Sequence, residues 1–171
     1  MLISIASGKG GTGKSTFAVN LAAVLRKENK EDVRLLDCDV EEPDDHLFIK
    51  PDFTEKSDVK VLKPVWDPEK CTACGKCTEN CNYNAIALVK EKVLIFNELC
   101  HSCGVCSYVC PEGALTDRDA VIGKVEATDN RDGFRFVHGY LNVGESLAPN
   151  VVRAVKKYAA PEAVNILDAS P

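Results

Sequence analysis

Two copies of one cysteine spacing, C-x2-C-x2-C-x3-C, limit what residues 71–110 can fold into more than any other feature of this chain. The first copy is Cys71, Cys74, Cys77 and Cys81; the second is Cys100, Cys103, Cys106 and Cys110, followed by Pro111. Three thiolates at successive x2 steps surround one small metal centre, and the fourth reaches further away. The repeat extends beyond the sulfurs. Lys70–Cys77 aligns with Leu99–Cys106, and Ala85-Ile86 aligns with Ala114-Leu115 at the same offset. Such duplication predicts a small unit with pseudo-twofold symmetry. A segment of about 55 residues can scarcely build a hydrophobic core, so metal ligation must largely replace one.

Disulfides are the competing use of nine cysteines, and the N-terminus argues against them. Met1 leads directly into Leu2-Ile3-Ser4-Ile5-Ala6, with no basic region and no long apolar run. Neither a secretory signal nor a membrane span is expected there, which places the chain in reducing cytoplasm. Zinc is the other rival, because two zinc sites also need eight ligands. The uninterrupted x2-x2-x3 spacing favours iron–sulfur clusters. A formal net charge of -5 would become roughly -9 with two oxidised four-iron clusters. With no basic run longer than Lys156-Lys157, no nucleic-acid partner is expected.

Upstream, residues 2–6 read as a buried strand and Val33–Asp37 as a second. Between them, Gly8-Lys9-Gly10-Gly11-Thr12-Gly13-Lys14-Ser15 fits the phosphate-binding loop pattern. A helix is predicted from Gly13-Lys14, with Phe17, Ala18, Leu21, Val24 and Leu25 on its inner face. Strand, glycine loop, helix and strand compose a right-handed βαβ unit. Glycines let successive backbone N–H groups converge on phosphate oxygens at the helix N-terminus, with Lys14 on the β- and γ-phosphates and the Ser15 hydroxyl on Mg2+. ATP and Mg2+ are therefore the expected ligands, held by Gly8, Lys9, Gly10, Gly11, Thr12, Gly13, Lys14, Ser15 and Thr16. Asp37 and Asp39 close the second strand, at the sheet edge where ligands of such folds bind.

After Lys50, Pro51, Pro64 and Pro68 bracket a polar connector into the cysteine segment. The α/β pattern resumes with strands at 121–127 and 134–143, the latter interrupted by Gly139. A helix at 149–159 should turn Val151, Val152, Val155 and Tyr158 inward, and 164–168 is a core strand ending in Asp168. The predicted division is 1–62, an inserted 63–117 and a resumed 118–171. Cys38 reads as a small buried residue and Trp66 as packing within the insertion. His101 reads as a loop residue beside Cys100, and His46 and His138 have no ligand-like neighbours.

Lys9 carries the sharper signal. Ser7-Gly8-Lys9-Gly10-Gly11-Thr12-Gly13-Lys14-Ser15-Thr16 resembles the deviant P-loop of the MinD, ParA and nitrogenase iron-protein superfamily. The likeness extends to Asp39-Val40-Glu41-Glu42-Pro43 and to the closing Leu167-Asp168-Ala169-Ser170-Pro171. It implies an α/β fold: a P-loop NTPase parallel sheet, incomplete here, with helices on both faces. A small α+β, bacterial-type ferredoxin domain with two [4Fe-4S] clusters interrupts it. It also implies a nucleotide-dependent homodimer, with Lys9 crossing to the partner's phosphates as an arginine finger does. Asp39 would orient or activate the attacking water, and Asp37 and Asp168 would sit on the Mg2+ side through water. Catalysis would then rest on Lys9, Lys14 and Asp39. The ferredoxin pattern implies a crossed partition: Cys71, Cys74, Cys77 and Cys110 for one cluster, Cys81, Cys100, Cys103 and Cys106 for the other. Asn82 replaces the proline expected after Cys81. Relatives continue past the last motif into a switch and a base-recognition segment, so the chain is expected to be the N-terminal part of such a protein. Three functions compete: ATP-gated electron transfer to a redox partner, assembly or delivery of metal cofactors to a recipient protein, and a redox-sensing partner switch.

Overall fold

The computed structural model describes residues 1–29, 32–129 and 132–170; Pro171, the last residue of the closing motif, lies outside them. The chain divides into two compact units. One comprises residues 1–59, 123–141 and 148–171, and the other residues 60–122 and 142–147.

The first unit is built on strands β1 (Leu2–Ile5), β2 (Val33–Asp37), β7 (Arg135–Leu141) and β8 (Val164–Asp168), with helices α1 (Lys14–Asn29), α2 (Asp45–Ile49) and α5 (Ala148–Lys156). Strand β3 (Glu55–Trp66) begins in this unit and β6 (Leu115–Asp129) ends in it. The sheet order is β1-β8-β2-β7-β6-β3. Pairings β1–β8, β8–β2 and β2–β7 are parallel, whereas β6 lies antiparallel to β7. The sheet is therefore mostly parallel, with antiparallel pairing added at one side. Parallel strands buried on both faces read as near-continuous apolar runs; β2 and β8 are mostly apolar, with Arg34 and Asn165 at their second positions and Asp37 and Asp168 at their ends.

Side chains alternate across a strand, so Phe136 and Gly139 of β7 face opposite sides. On the first side, Ala18 and Ala22 of α1 pack with Val33, Leu35, Phe134, Phe136, Val164 and Ile166. On the second, α5 approaches so closely that a Cβ on Gly139 would lie 2.6 Å from Val155 Cγ2 and 2.8 Å from Val151 Cγ1. The glycine that looked like a break in β7 is instead the groove that admits α5. Val151 and Val155 are buried there, while Val152 and Tyr158 are only half-buried.

Three local expectations require correction. The α1 face that meets the sheet is centred on Ala18 and Ala22, with Leu21 and Leu25 at its margins; Phe17 and Val24 are exposed. Close helix–sheet packing selects small side chains at its centre, which hydrophobicity alone does not reveal. Strand β1 is an edge strand, and only Ile3 and Ile5 are half-buried. The supposed connector after Lys50 contains β3, whose Val59, Val61 and Lys63 face inward at strand spacing. Pro64 comes near its end, where a missing backbone donor is tolerated.

In the second unit, helices α3 (Lys76–Glu79) and α4 (Val105–Tyr108) each follow a left-handed glycine, Gly75 or Gly104. The repeat extends to unusual backbone: Ala73 and Ser102 have φ of 55° and 53°, and Asn84 and Gly113 have 52° and 59°. Strands β4 (Ile86–Val89) and β5 (Lys92–Ile95) form an antiparallel hairpin. Its buried core comprises Ile86, Val93, Cys106 and Leu115. Residues 142–147 join this unit: the Asn142 N–H donates to Ile122 O, and buried Lys63 pairs with Glu145 at 2.7 Å and donates to Asn97 O.

Candidate nucleotide cleft and cysteine cavities

The turn after β1 runs through Gly11 and Gly13 at φ of 76° and 85°, conformations open to glycine at little cost, and delivers the chain into α1. A cleft of about 350 Å³ opens over this turn. Its walls include Ser7, Lys9–Thr16, Asp39, Glu42, Asp44 and Phe48. Gly8 adjoins the lining but is not part of it. Ser15 is buried at the start of α1, and Lys9 stands exposed at the rim.

Lys14 extends to Asp168 at 2.9 Å, and their side chains are only 8% and 0% exposed. Burial acts to depress the Lys14 pKa, but the hydrogen bond and charge of Asp168, joined by Asp39 and Asp44, carry it above its ordinary value. Asp168 and Asp37 are register neighbours on β8 and β2, so their carboxylates emerge side by side at the carboxyl ends of the strands. Asp37 accepts the Asp39 N–H at 3.0 Å and the Asp45 N–H at 3.4 Å. Burial, opposed by the Asp39 hydrogen bond and reinforced by the Asp168 charge, raises the Asp37 carboxyl to about 7. Asp39 is half-buried and also raised, by burial first, with Lys14 opposing. The structure thus brings Lys14, Ser15, Asp37, Asp39 and Asp168 to one end of the sheet.

The sequence reading passed over Asp44 and Asp45. Asp45 is fully buried, and neither carboxylate oxygen has a hydrogen-bond partner among the described residues. Burial, then the charges of Asp37 and Asp168, push its carboxyl to about 9. The dense acidic run Glu41, Glu42, Asp44 and Asp45 was the available signal. Two histidines also acquire neighbours that the sequence did not suggest. His138 stands opposite Asp37 on β7, contacts Glu126 Oε2 through Nε2 at 3.1 Å and stacks on Phe53 at 4.6 Å. His46 lies against it at 5.4 Å between ring centroids. Cys38 is buried, and burial followed by the Asp37 charge pushes its thiol to about 12, so it remains protonated at neutral pH.

In the second unit the eight repeat cysteines fall into two groups of four. Cys71, Cys74, Cys77 and Cys110 share one cavity with Trp66, Leu88, Val93 and Leu115. Cys81, Cys100, Cys103 and Cys106 share another with Pro64, Ile86, Tyr83 and His101. Each group draws three cysteines from one repeat and the fourth from the other. The fourth sulfurs have matching partners: the Ala85 N–H donates to Cys81 Sγ at 3.3 Å and the Ala114 N–H to Cys110 Sγ at 3.2 Å. Such N–H donors favour a thiolate, and all nine cysteines are free. Four sulfurs around an apolar-walled hollow, with donors aimed at sulfur, fit a thiolate-ligated metal centre. His101 is more than a loop residue, since it stacks on Tyr83 with centroids 3.8 Å apart. Cys74 and Cys103 are exposed, while Cys100 and Cys106 are buried. No helix among the described residues is long and apolar enough to cross a membrane.

The profile of the CobQ/CobB/MinD/ParA nucleotide-binding domain (CbiA) matches residues 3–167. Two uncharacterized proteins of Methanocaldococcus jannaschii are similar over most of the chain. MJ0579 is 30% identical over 98% of this chain and 60% of its own length. MJ0578 is 31% identical over 93% of this chain and 55% of its own. The chain therefore spans a little over half the length of these relatives. An Arabidopsis thaliana iron-sulfur protein required for NADH dehydrogenase is 37% identical over 46% of this chain and 26% of its own length.

Proposed function

The chain belongs to the CobQ/CobB/MinD/ParA nucleotide-binding family, and from that premise we propose an ATP-hydrolysing iron–sulfur protein in which nucleotide-driven dimer closure is coupled to electron transfer. One observation carries the reading: a single chain holds both a phosphate-binding cleft and two cavities with four cysteines each. The loop backbone at 8–16 would bind ATP phosphates, Lys14 would neutralise them and the Ser15 hydroxyl would ligate Mg2+. Asp37 and Asp168 would hold that ion through water, and Asp39 would orient the attacking water. Exposed Lys9 is free to reach the phosphates of a second copy, where a cation supplied in trans accelerates hydrolysis.

The domain at 63–117, inserted between 1–62 and 118–171, would hold two [4Fe-4S] clusters. One would use Cys71, Cys74, Cys77 and Cys110, and the other Cys81, Cys100, Cys103 and Cys106. Bound clusters supply one-electron transfer, and their thiolates require a reducing compartment such as cytoplasm. The electron acceptor would be a separate protein.

Exposed Cys74 and Cys103 favour a second reading, assembly or delivery of metal cofactors, because open ligation eases release. Anaerobic EPR redox titration with MgADP and with a non-hydrolysable ATP analogue separates the two, using Lys14→Ala as the nucleotide-free control. A nucleotide-dependent shift in cluster potential or line shape, absent in Lys14→Ala, is expected for gated electron transfer. Unchanged spectra with nucleotide demonstrably bound would overturn coupling and support delivery. EPR-silent protein containing zinc would overturn both.

A further inference from the structure

Beside the cleft, the end of the sheet gathers more buried carboxyl groups than its one buried lysine can pair. Asp168 already occupies Lys14 at 2.9 Å. Beyond that pair, one oxygen from each of Asp37, Asp44 and Asp45 lies within 4.8 Å of the others. Surface carboxylates often cluster without consequence, because water screens them. Here Asp37 and Asp45 are both fully buried, and Asp45 lacks any hydrogen-bond partner for either oxygen among the described residues. A buried carboxylate without donors is costly, so such a group either keeps its proton or is completed by a cation.

The local chain explains the convergence. Asp37 ends β2, and the Asp45 N–H is held to its carboxylate at 3.4 Å, so the start of α2 folds back over the strand end. Asp44 precedes α2, but its side chain makes no capping bond, which leaves its oxygens available. It is exposed and also lines the cleft. The arrangement has two buried carboxyl groups and an exposed one, Asp44, that reaches the cleft.

We propose that Asp37, Asp44 and Asp45 form a binding site for a hard divalent cation, Mg2+ or Mn2+, that fills without nucleotide. All three ligands are carboxylate oxygens, the donor type these ions select, and water from the cleft can complete the shell. Asp45 is its central ligand. The site differs from one made by Ser15 and phosphate oxygens because it needs no phosphate. It does not rest on the reading of the cysteine unit or on hydrolysis.

Mn2+ titration of the intact, oxidised protein, followed by the EPR signal of free Mn2+ in the absence of nucleotide, tests this. One bound Mn2+ is expected for the wild type, competed by Mg2+. Affinity should fall at least tenfold in Asp45→Asn and by a smaller factor in Asp44→Asn. Asp44 is exposed, so the second variant decides the matter should Asp45→Asn fail to fold. The site is refuted by wild-type protein that binds Mn2+ only after nucleotide is added. Equal Mn2+ affinity in the wild type and the folded aspartate variants would refute it as well. Failure of the ATP-gating experiment would leave this result untouched, since no nucleotide enters it.

Discussion

The two units solve the problem of stability differently. The nucleotide unit buries Val33, Leu35, Phe134, Phe136, Val164 and Ile166 under the alanines of α1, with large side chains fully sequestered. The cysteine unit's hydrophobic cluster has four buried members, Ile86, Val93, Cys106 and Leu115, and its helices α3 and α4 are four residues long. Helices that short have no stability of their own. The first unit is held by burial of apolar area; on the proposed function, the second depends on what its sulfurs bind.

On the proposed iron–sulfur reading, removing iron is the strongest way to break that comparison. Anaerobic chelation should abolish hydrogen-exchange protection at 76–108 while amides of β2 and β8 remain protected. Persistent protection in the cysteine unit would mean that its small core suffices without metal. The converse test is Phe136→Ala. This fully buried ring lies near the start of β7 in the core under α1, and its loss should cost the nucleotide unit about 3–5 kcal/mol. Denaturant melting should show the loss, with the visible absorbance of the other unit unchanged before unfolding. If both units melt together with the full cost, they behave as one cooperative body.

The smallest effect concerns His138. Burial lowers its pKa, and the Glu126 contact only partly opposes this. Its folded value is therefore below the unfolded one, so its contribution is present above about pH 6.5 and is lost as pH falls through the folded pKa. The His138 contribution should decline between about pH 7 and 5, against the opposite trend set by the raised Asp37 and Asp45 carboxyls, and His138→Gln should remove that contribution from the slope. An unchanged slope in the variant would assign the pH dependence to other groups.

Much of the candidate chemistry is legible because it is local. The phosphate loop lies within ten residues, and the cysteine spacing within two short runs. Apolar β2 and β8 stand out without reference to their neighbours. Strand β3 was obscured because Pro64 and its charges resemble a connector, although Val59, Val61 and Lys63 alternate correctly. The α1 face was misjudged because Phe17 and Val24 carry more hydrophobicity than Ala18 and Ala22, whereas close packing rewards small size.

Sequence by itself determined the family, the phosphate loop, the two cysteine repeats and the strands that end in Asp37 and Asp168. Each of these is written in neighbouring residues. Only the tertiary structure decided that Lys14 meets Asp168 across 154 positions, that Gly139 makes room for α5, and that Asp45 is buried without a donor beside Asp37. Those facts depend on which strands become neighbours and how closely a helix settles on them. Distance along the chain does not encode such proximity; burial and packing create it.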